Sequence, residues 1–143
     1  MTQQIFSLGT GRNTHSGDNL PTVGTKLNAN FTELYTVGAV QFINVNSTSL
    51  SINIGAGQYV VLNMNSTVST MAISGWTSNA LSRCILEVRN TGSFDINNWA
   101  GAKWVEGNTP VLSHGAGKID LFSLTTSDAG NTIIGNVVGK NYY

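Results

Sequence analysis

The chain has 143 residues, with seven basic and seven acidic side chains and a formal net charge of zero. Its length fits one domain with a short extension and is enough to bury a core. Only 10% of the residues are charged and the Lys and Arg residues are scattered, which argues against a cytoplasmic enzyme and against nucleic acid as a partner.

The first twenty residues have no hydrophobic period. Gly9, Gly11 and Gly17 lie among polar residues there, which indicates an extended arm. No basic stretch followed by an apolar run is present at the start, and no segment approaches the length of a membrane span. We therefore expect neither a secretory signal nor membrane insertion, and a protein that is made in a cytoplasm.

Residues 21–37 are predicted to form one amphipathic helix. One face of it carries four apolar residues at helical spacing: Val23, Leu27, Phe31 and Leu34. Asn19 or Thr22 is placed to cap its start, and Gly38 is placed to end it. A helix of about 15 residues is marginal alone in water. We therefore expect this face, together with Tyr35, to dock against the β-domain, another copy of the chain or another protein.

From Val40 onward the hydrophobic period changes to two, which is typical of β-strands. Turn signals separate the alternating segments, which lie near residues 50–54, 60–64, 71–73, 84–89, 94–96, 119–124, 133–134 and 137–138. About eight short strands at this spacing predict an antiparallel β-sandwich or jelly-roll-like domain over 38–143, after an arm and docking helix over 1–37. We recognise no internal repeat and therefore expect no fibre shaft.

The residue types that carry catalysis form no recognisable site. His15 and His114 lack the spacing of metal ligands, and Cys84 occupies an inward-type strand position that favours a buried apolar side chain over a nucleophile. A glycan-degrading enzyme would need two carboxylates facing one cleft, and turn capping and surface solvation are the expected roles of the acidic residues here. We predict no catalytic residue, no metal site and no cofactor.

Trp99 and Trp104 lie in a polar, glycine-bearing stretch from Asn97 to Gly107. Exposed tryptophans of this kind stack on sugar rings in many glycan-binding surfaces. The alternative, which we favour, is that they cap the end of the β-core or fill a subunit interface, where aromatic residues concentrate.

Two patches carry a family resemblance. The first comprises Gly17, Asp18, Leu20, Pro21, Lys26, Asn28, Asn30, Phe31, Glu33, Leu34 and Tyr35. It resembles the N-terminal segment of many tailed-bacteriophage virion proteins, including tail fibres, head fibres and related surface proteins. The second comprises Trp104, Gly107, Thr109, Pro110, residues 119–122 and residues 128–132. It is similar to a small β-module that closes many phage surface proteins.

The resemblance implies a non-catalytic structural protein of a virion that assembles in the bacterial host cytoplasm. We expect a capsid decoration or cement protein whose partners are phage capsid or tail proteins. The alternative is a small tail-fibre or receptor-binding module that recognises a host-surface glycan. We also expect a homo-oligomer, because no charged residue lies between Leu34 and Ser82 to keep strand edges apart. A trimer is the leading expectation, since similar phage surface proteins are often threefold.

Overall fold

A computed structural model describes Ile5, Gly17 and residues 19–143, apart from the side chains of Leu20 and residues 33–37. The chain divides into two compact units, Met1–Val37 and Gly38–Tyr143, at the point where the hydrophobic period changes. The rest of the predicted arm, including Gly9, His15 and Asp18, lies outside the described residues.

The first unit contains one helix, α1, which spans Leu20–Val37. Asn19 caps it, since its Oδ1 accepts hydrogen bonds from the backbone N–H of Thr22 at 2.9 Å and from the Thr22 hydroxyl at 2.7 Å. Pro21 fits the first turn because the helix needs no N–H there. Of the two predicted capping residues, Asn19 is therefore the cap and Thr22 is its partner.

The second unit contains the described strands, arranged in two sheets. The strands are β1 Val40–Val45, β2 Ser49–Asn53, β3 Tyr59–Met64, β4 Thr70–Ser74, β5 Ser82–Asn90, β6 Lys118–Thr126 and β7 Ile134–Tyr142. Single 3-10 turns occur at Ile54–Ala56 and Val105–Gly107. The larger sheet has the order β1-β3-β5-β6-β7, and β2 pairs with β4 in the smaller one.

The mainly β fold with a helix ahead of the sheets confirms the predicted class, but the pairing is not antiparallel throughout. β1 with β3, β3 with β5, and β2 with β4 are parallel, whereas β6 is antiparallel to β5 and to β7. From β1 to β5 the chain alternates between the two sheets. Each strand therefore runs in the same direction as the previous strand of its own sheet. The chain thus forms two stacked coils, one from β1 and β2 and the next from β3 and β4.

The stacked coils contain a sequence repeat, so the expectation of no internal repeat was wrong. Residues 44–48 read Asn-Val-Asn-Ser-Thr and residues 63–67 read Asn-Met-Asn-Ser-Thr. The register aligns Asn44 with Asn63. Asn63 Nδ2 donates to Asn44 Oδ1 at 3.0 Å, and Asn65 Nδ2 donates to Asn46 Oδ1 at 3.1 Å. Two amide ladders thus tie one coil to the next.

The two sheets share one apolar core, which is a sandwich-like arrangement. Leu50 and Ile52 from the smaller sheet cluster with Leu62, Leu86 and other inward residues of the larger one. Three aromatic rings, those of Trp99, Trp104 and Phe122, pack against one another in this core.

Candidate interaction surfaces

The predicted docking face of α1 is largely open to solvent where the structure describes it. Leu27 is 43% exposed and Phe31 is 52% exposed, while Val23 is half-buried. The side chains of Leu34 and Tyr35, the other two predicted docking residues, lie outside the described part. Among the described residues ahead of the helix, Ile5 contacts it, since Lys26 Nζ donates to the carbonyl oxygen of Ile5 at 2.9 Å. The helix therefore presents two large apolar side chains to solvent.

A second exposed apolar feature is strand β1, which forms one edge of the larger sheet. Phe42 is 68% exposed, and Val40 is also exposed. The strand pairs with β3 in an uninterrupted register and has no charged residue and no proline. Edge strands of natural proteins usually carry charged residues, prolines or bulges, which prevent pairing with a strand of another chain.

The opposite edge of the same sheet, β7, differs in these respects. Its register with β6 shifts twice between Ile119 and Phe122, and it carries Lys140, whose ammonium group donates to the carbonyl oxygen of Val111. Bulges and lysines are the devices that make an edge unsuitable for further pairing. The two edges of the sheet are therefore chemically unequal.

The outer face of the larger sheet carries a polar network on β3 and β5. The Tyr59 hydroxyl donates to Glu87 Oε2 at 2.5 Å, and Arg89 Nε donates to Glu87 Oε1 at 2.6 Å. Burial acts to raise the pKa of Glu87, but the two hydrogen bonds and the Arg89 charge outweigh it and hold that pKa below its ordinary value. The same bond and burial raise the pKa of Tyr59. The network keeps these side chains in a fixed arrangement between neighbouring strands.

Trp99 and Trp104 belong to the core. They are 3% and 9% exposed, and both pack edge-on against Phe122, with ring centroids at 4.7 and 6.0 Å. Their own centroids lie 5.1 Å apart. The two rings are therefore buried core residues and not an exposed platform on which a sugar could stack.

A shallow cleft of 270 Å³ does adjoin Trp104. It is lined by Trp104, Val105, Asn108, Gly135, Asn136 and Val137. Two amide side chains and exposed apolar atoms give it a mixed character, with hydrogen-bonding groups beside apolar surface.

The residues considered for catalysis serve the fold. Cys84 is buried, which raises its pKa to about 12, so it has little thiolate at neutral pH. His114 Nε2 lies 2.9 Å from Asp95 Oδ2, while Asp95 Oδ1 accepts from the backbone N–H of Leu112 at 3.3 Å. Among the described residues, no group of three or more His, Cys, Asp or Glu side chains is placed to hold a metal ion.

The sequence predicts turn capping or surface solvation for the acidic residues, which holds for Asp128 but not for Asp120. Asp128 Oδ1 accepts from the backbone N–H of Thr132 at 2.8 Å and from the Thr126 hydroxyl at 2.7 Å, and these bonds lower its pKa. It is the turn residue that the sequence predicts. Asp120 is 2% exposed, so surface solvation was the wrong expectation for it. It lies on the inner face of β6 and binds two backbone N–H groups.

Comparison of the chain with protein-family models, with curated proteins and with solved structures found no match. No helix in the described part of the chain combines the length and the hydropathy that crossing a membrane requires.

Proposed function

We propose that this chain is a non-catalytic structural protein of a tailed-phage virion, and within the virion a capsid decoration or cement protein. The observation that carries the proposal is the solvent-exposed apolar face of α1, with Leu27 and Phe31 both about half exposed. An isolated helix of this length is marginal in water, and burial of this face against a partner surface would stabilise it. The natural partner is a capsid protein surface on which many copies of the helix dock.

The β-unit supports a structural role for a second reason. Its most reactive residue types are committed to the fold: Cys84 lies in the core, Asp120 binds backbone N–H groups and Asp95 is paired with His114. With few charges and a compact two-sheet core, the unit is suited to forming an outer layer on a particle. Assembly energy in this role is spread over contacts rather than concentrated in one catalytic group.

The test is a charge placed on the docking face. Phe31→Asp removes apolar burial of about 2 kcal/mol and introduces an unpaired carboxylate that costs several kcal/mol more in a dry contact. Apparent affinity for particles should fall by at least about 100-fold. Thr25→Asp is the matched control, because Thr25 lies on the opposite side of the same exposed helix.

The assay measures how many copies of the full chain bind to virions that lack it, together with the heat resistance of the particles. Wild type and Thr25→Asp should restore both occupancy and heat resistance, and Phe31→Asp should restore neither. Normal occupancy with Phe31→Asp would show that α1 is not the docking element.

The alternative function is a small tail-fibre or receptor-binding module for a host-surface glycan, and the cleft beside Trp104 favours it. Asn108 and Asn136 offer amide donors and acceptors next to the apolar Val105 and Val137, a combination suited to a sugar. Binding of the full chain to host glycans, weakened by Asn108→Ala, would support this function. Phages that carry Phe31→Asp would then lose adsorption while their capsids keep normal heat resistance, the reverse of the decoration outcome.

A further inference from the structure

We propose that β1 is a self-association edge, at which two copies of the chain pair their β1 strands antiparallel around a twofold axis. This joins the larger sheets of the two copies into one continuous sheet. The inference rests on the β-unit and does not depend on docking through α1.

The first argument is the contrast between the two edges of the larger sheet. β7 is interrupted by register shifts and carries Lys140, whereas β1 is regular over all six residues and carries no such feature. The protection that makes an edge unavailable is therefore present on one side and missing on the other. An edge left open in this way, with Phe42 exposed on it, is prepared for another strand.

The second argument is the direction of the amide ladders. Asn44 and Asn46 use their Oδ1 atoms to accept from Asn63 and Asn65 in the coil behind them. The Nδ2 groups of Asn44 and Asn46 have no acceptor among the described residues, so two donors remain at the free end of the stack. The Asn44 side-chain oxygen of a second copy has a further lone pair and is an acceptor for a donor of this kind.

The third argument identifies the partner as a second copy of this chain. β1 is uncharged and alternates inward and outward residues as Val-Gln-Phe-Ile-Asn-Val, so a second copy of β1 pairs with it without placing a charge at the contact. Antiparallel pairing of two identical strands is symmetric, so each contact is made twice and the assembly closes as a dimer. The pairing also keeps Ile43 and Val45 on the core side and Phe42 and Asn44 on the outer side of both copies.

The experiment compares the same substitution on the two edges. Asn44→Lys puts on the outer side of β1 a lysine of the kind that keeps a strand edge from pairing. Asn136→Lys makes the identical change on the outer side of β7. Sedimentation of the full chain between 1 and 100 μM (roughly the range in which modest dimers dissociate) should give a dimer for wild type and for Asn136→Lys. For Asn44→Lys the dissociation constant should rise at least about tenfold.

A second pair of variants tests the contact directly. Under mild oxidation, the double variant Phe42→Cys/Asn44→Cys should form a disulfide-linked dimer. With the twofold axis at residue 42, 43 or 44, one of these outer positions lies opposite itself or the other, within disulfide range. Asn136→Cys should remain unlinked, and the buried Cys84 should give no background. Thermal unfolding of each variant checks that the fold is intact, as expected for substitutions of exposed residues.

Three results would overturn the proposal. They are a wild-type chain that stays monomeric at the highest concentration, a trimer that Asn44→Lys leaves intact, and equal cross-linking at β1 and β7.

Discussion

Asp120→Ala should destabilise the β-unit more than removal of any other described carboxylate. Asp120 is almost fully buried, and its two oxygens accept from the backbone N–H of Ser113 at 2.6 Å and of Asn141 at 2.8 Å. These bonds fix the last part of the loop before β6 and the end of β7 to the same strand. Alanine leaves both donors without their acceptor.

The expected loss is about 3 kcal/mol of unfolding free energy. A hydrogen bond to a charged group contributes about 1.5 to 3 kcal/mol, and two are lost, while removal of a buried charge returns part of the cost. Asp120→Asn keeps one oxygen acceptor and should lose roughly half as much. For a unit of this size, 3 kcal/mol corresponds to a fall in Tm of about 12 °C.

Urea unfolding followed by near-ultraviolet circular dichroism measures this loss, since Trp99 and Trp104 report on the core beside β6. Glu106→Ala and Glu106→Gln are the matched controls, because Glu106 is exposed. Both should lie within about 0.5 kcal/mol of wild type. If Asp120→Ala also unfolds within about 1 kcal/mol of wild type at an unchanged m-value, the buried carboxylate does not hold the two segments as argued.

Three further results are expected. The stability difference between wild type and Tyr59→Phe should be largest between about pH 5 and pH 9. This stability difference should shrink below that window, as pH falls through the lowered pKa of Glu87, and above the window, as pH rises through the raised pKa of Tyr59. Urea titrations of both proteins at stepped pH measure the difference, and a constant value across the range would contradict the assignment. Cys84 should react with iodoacetamide only in denaturant, because the buried thiol has a pKa of about 12; modification of the native chain at neutral pH within minutes would show that the site opens. Asn19→Ala should weaken α1 by about 1 kcal/mol through loss of its bonds to Thr22, seen as faster amide hydrogen exchange in the first turn, and unchanged exchange would argue against the cap.

The local pattern of the sequence was enough to place most of the elements. The helical spacing of Val23, Leu27 and Phe31 located α1, and period-two alternation located most of the strands to within a few residues. It did not locate β1, and it predicted a strand near 94–96, where Ile96 makes only an isolated bridge with Val68. Both patterns are local, because the direction in which a side chain leaves the backbone repeats every 3.6 residues in a helix and every two residues in a strand. The apolar face of α1 followed from the same pattern.

Only the tertiary structure decided which strands are neighbours and which polar residues are buried. Alternation in β1 and β3 assigns each residue to a face, but it is the same whether the next strand in the sheet runs parallel or antiparallel. The repeated Asn-x-Asn-Ser-Thr segment was the one sequence signal for stacked coils, because ladders form between equivalent positions of successive turns. The burial of Asp120 could not be predicted from the sequence. Its hydrogen-bond donors are the backbone N–H groups of Ser113 and Asn141, which only the fold brings next to Asp120.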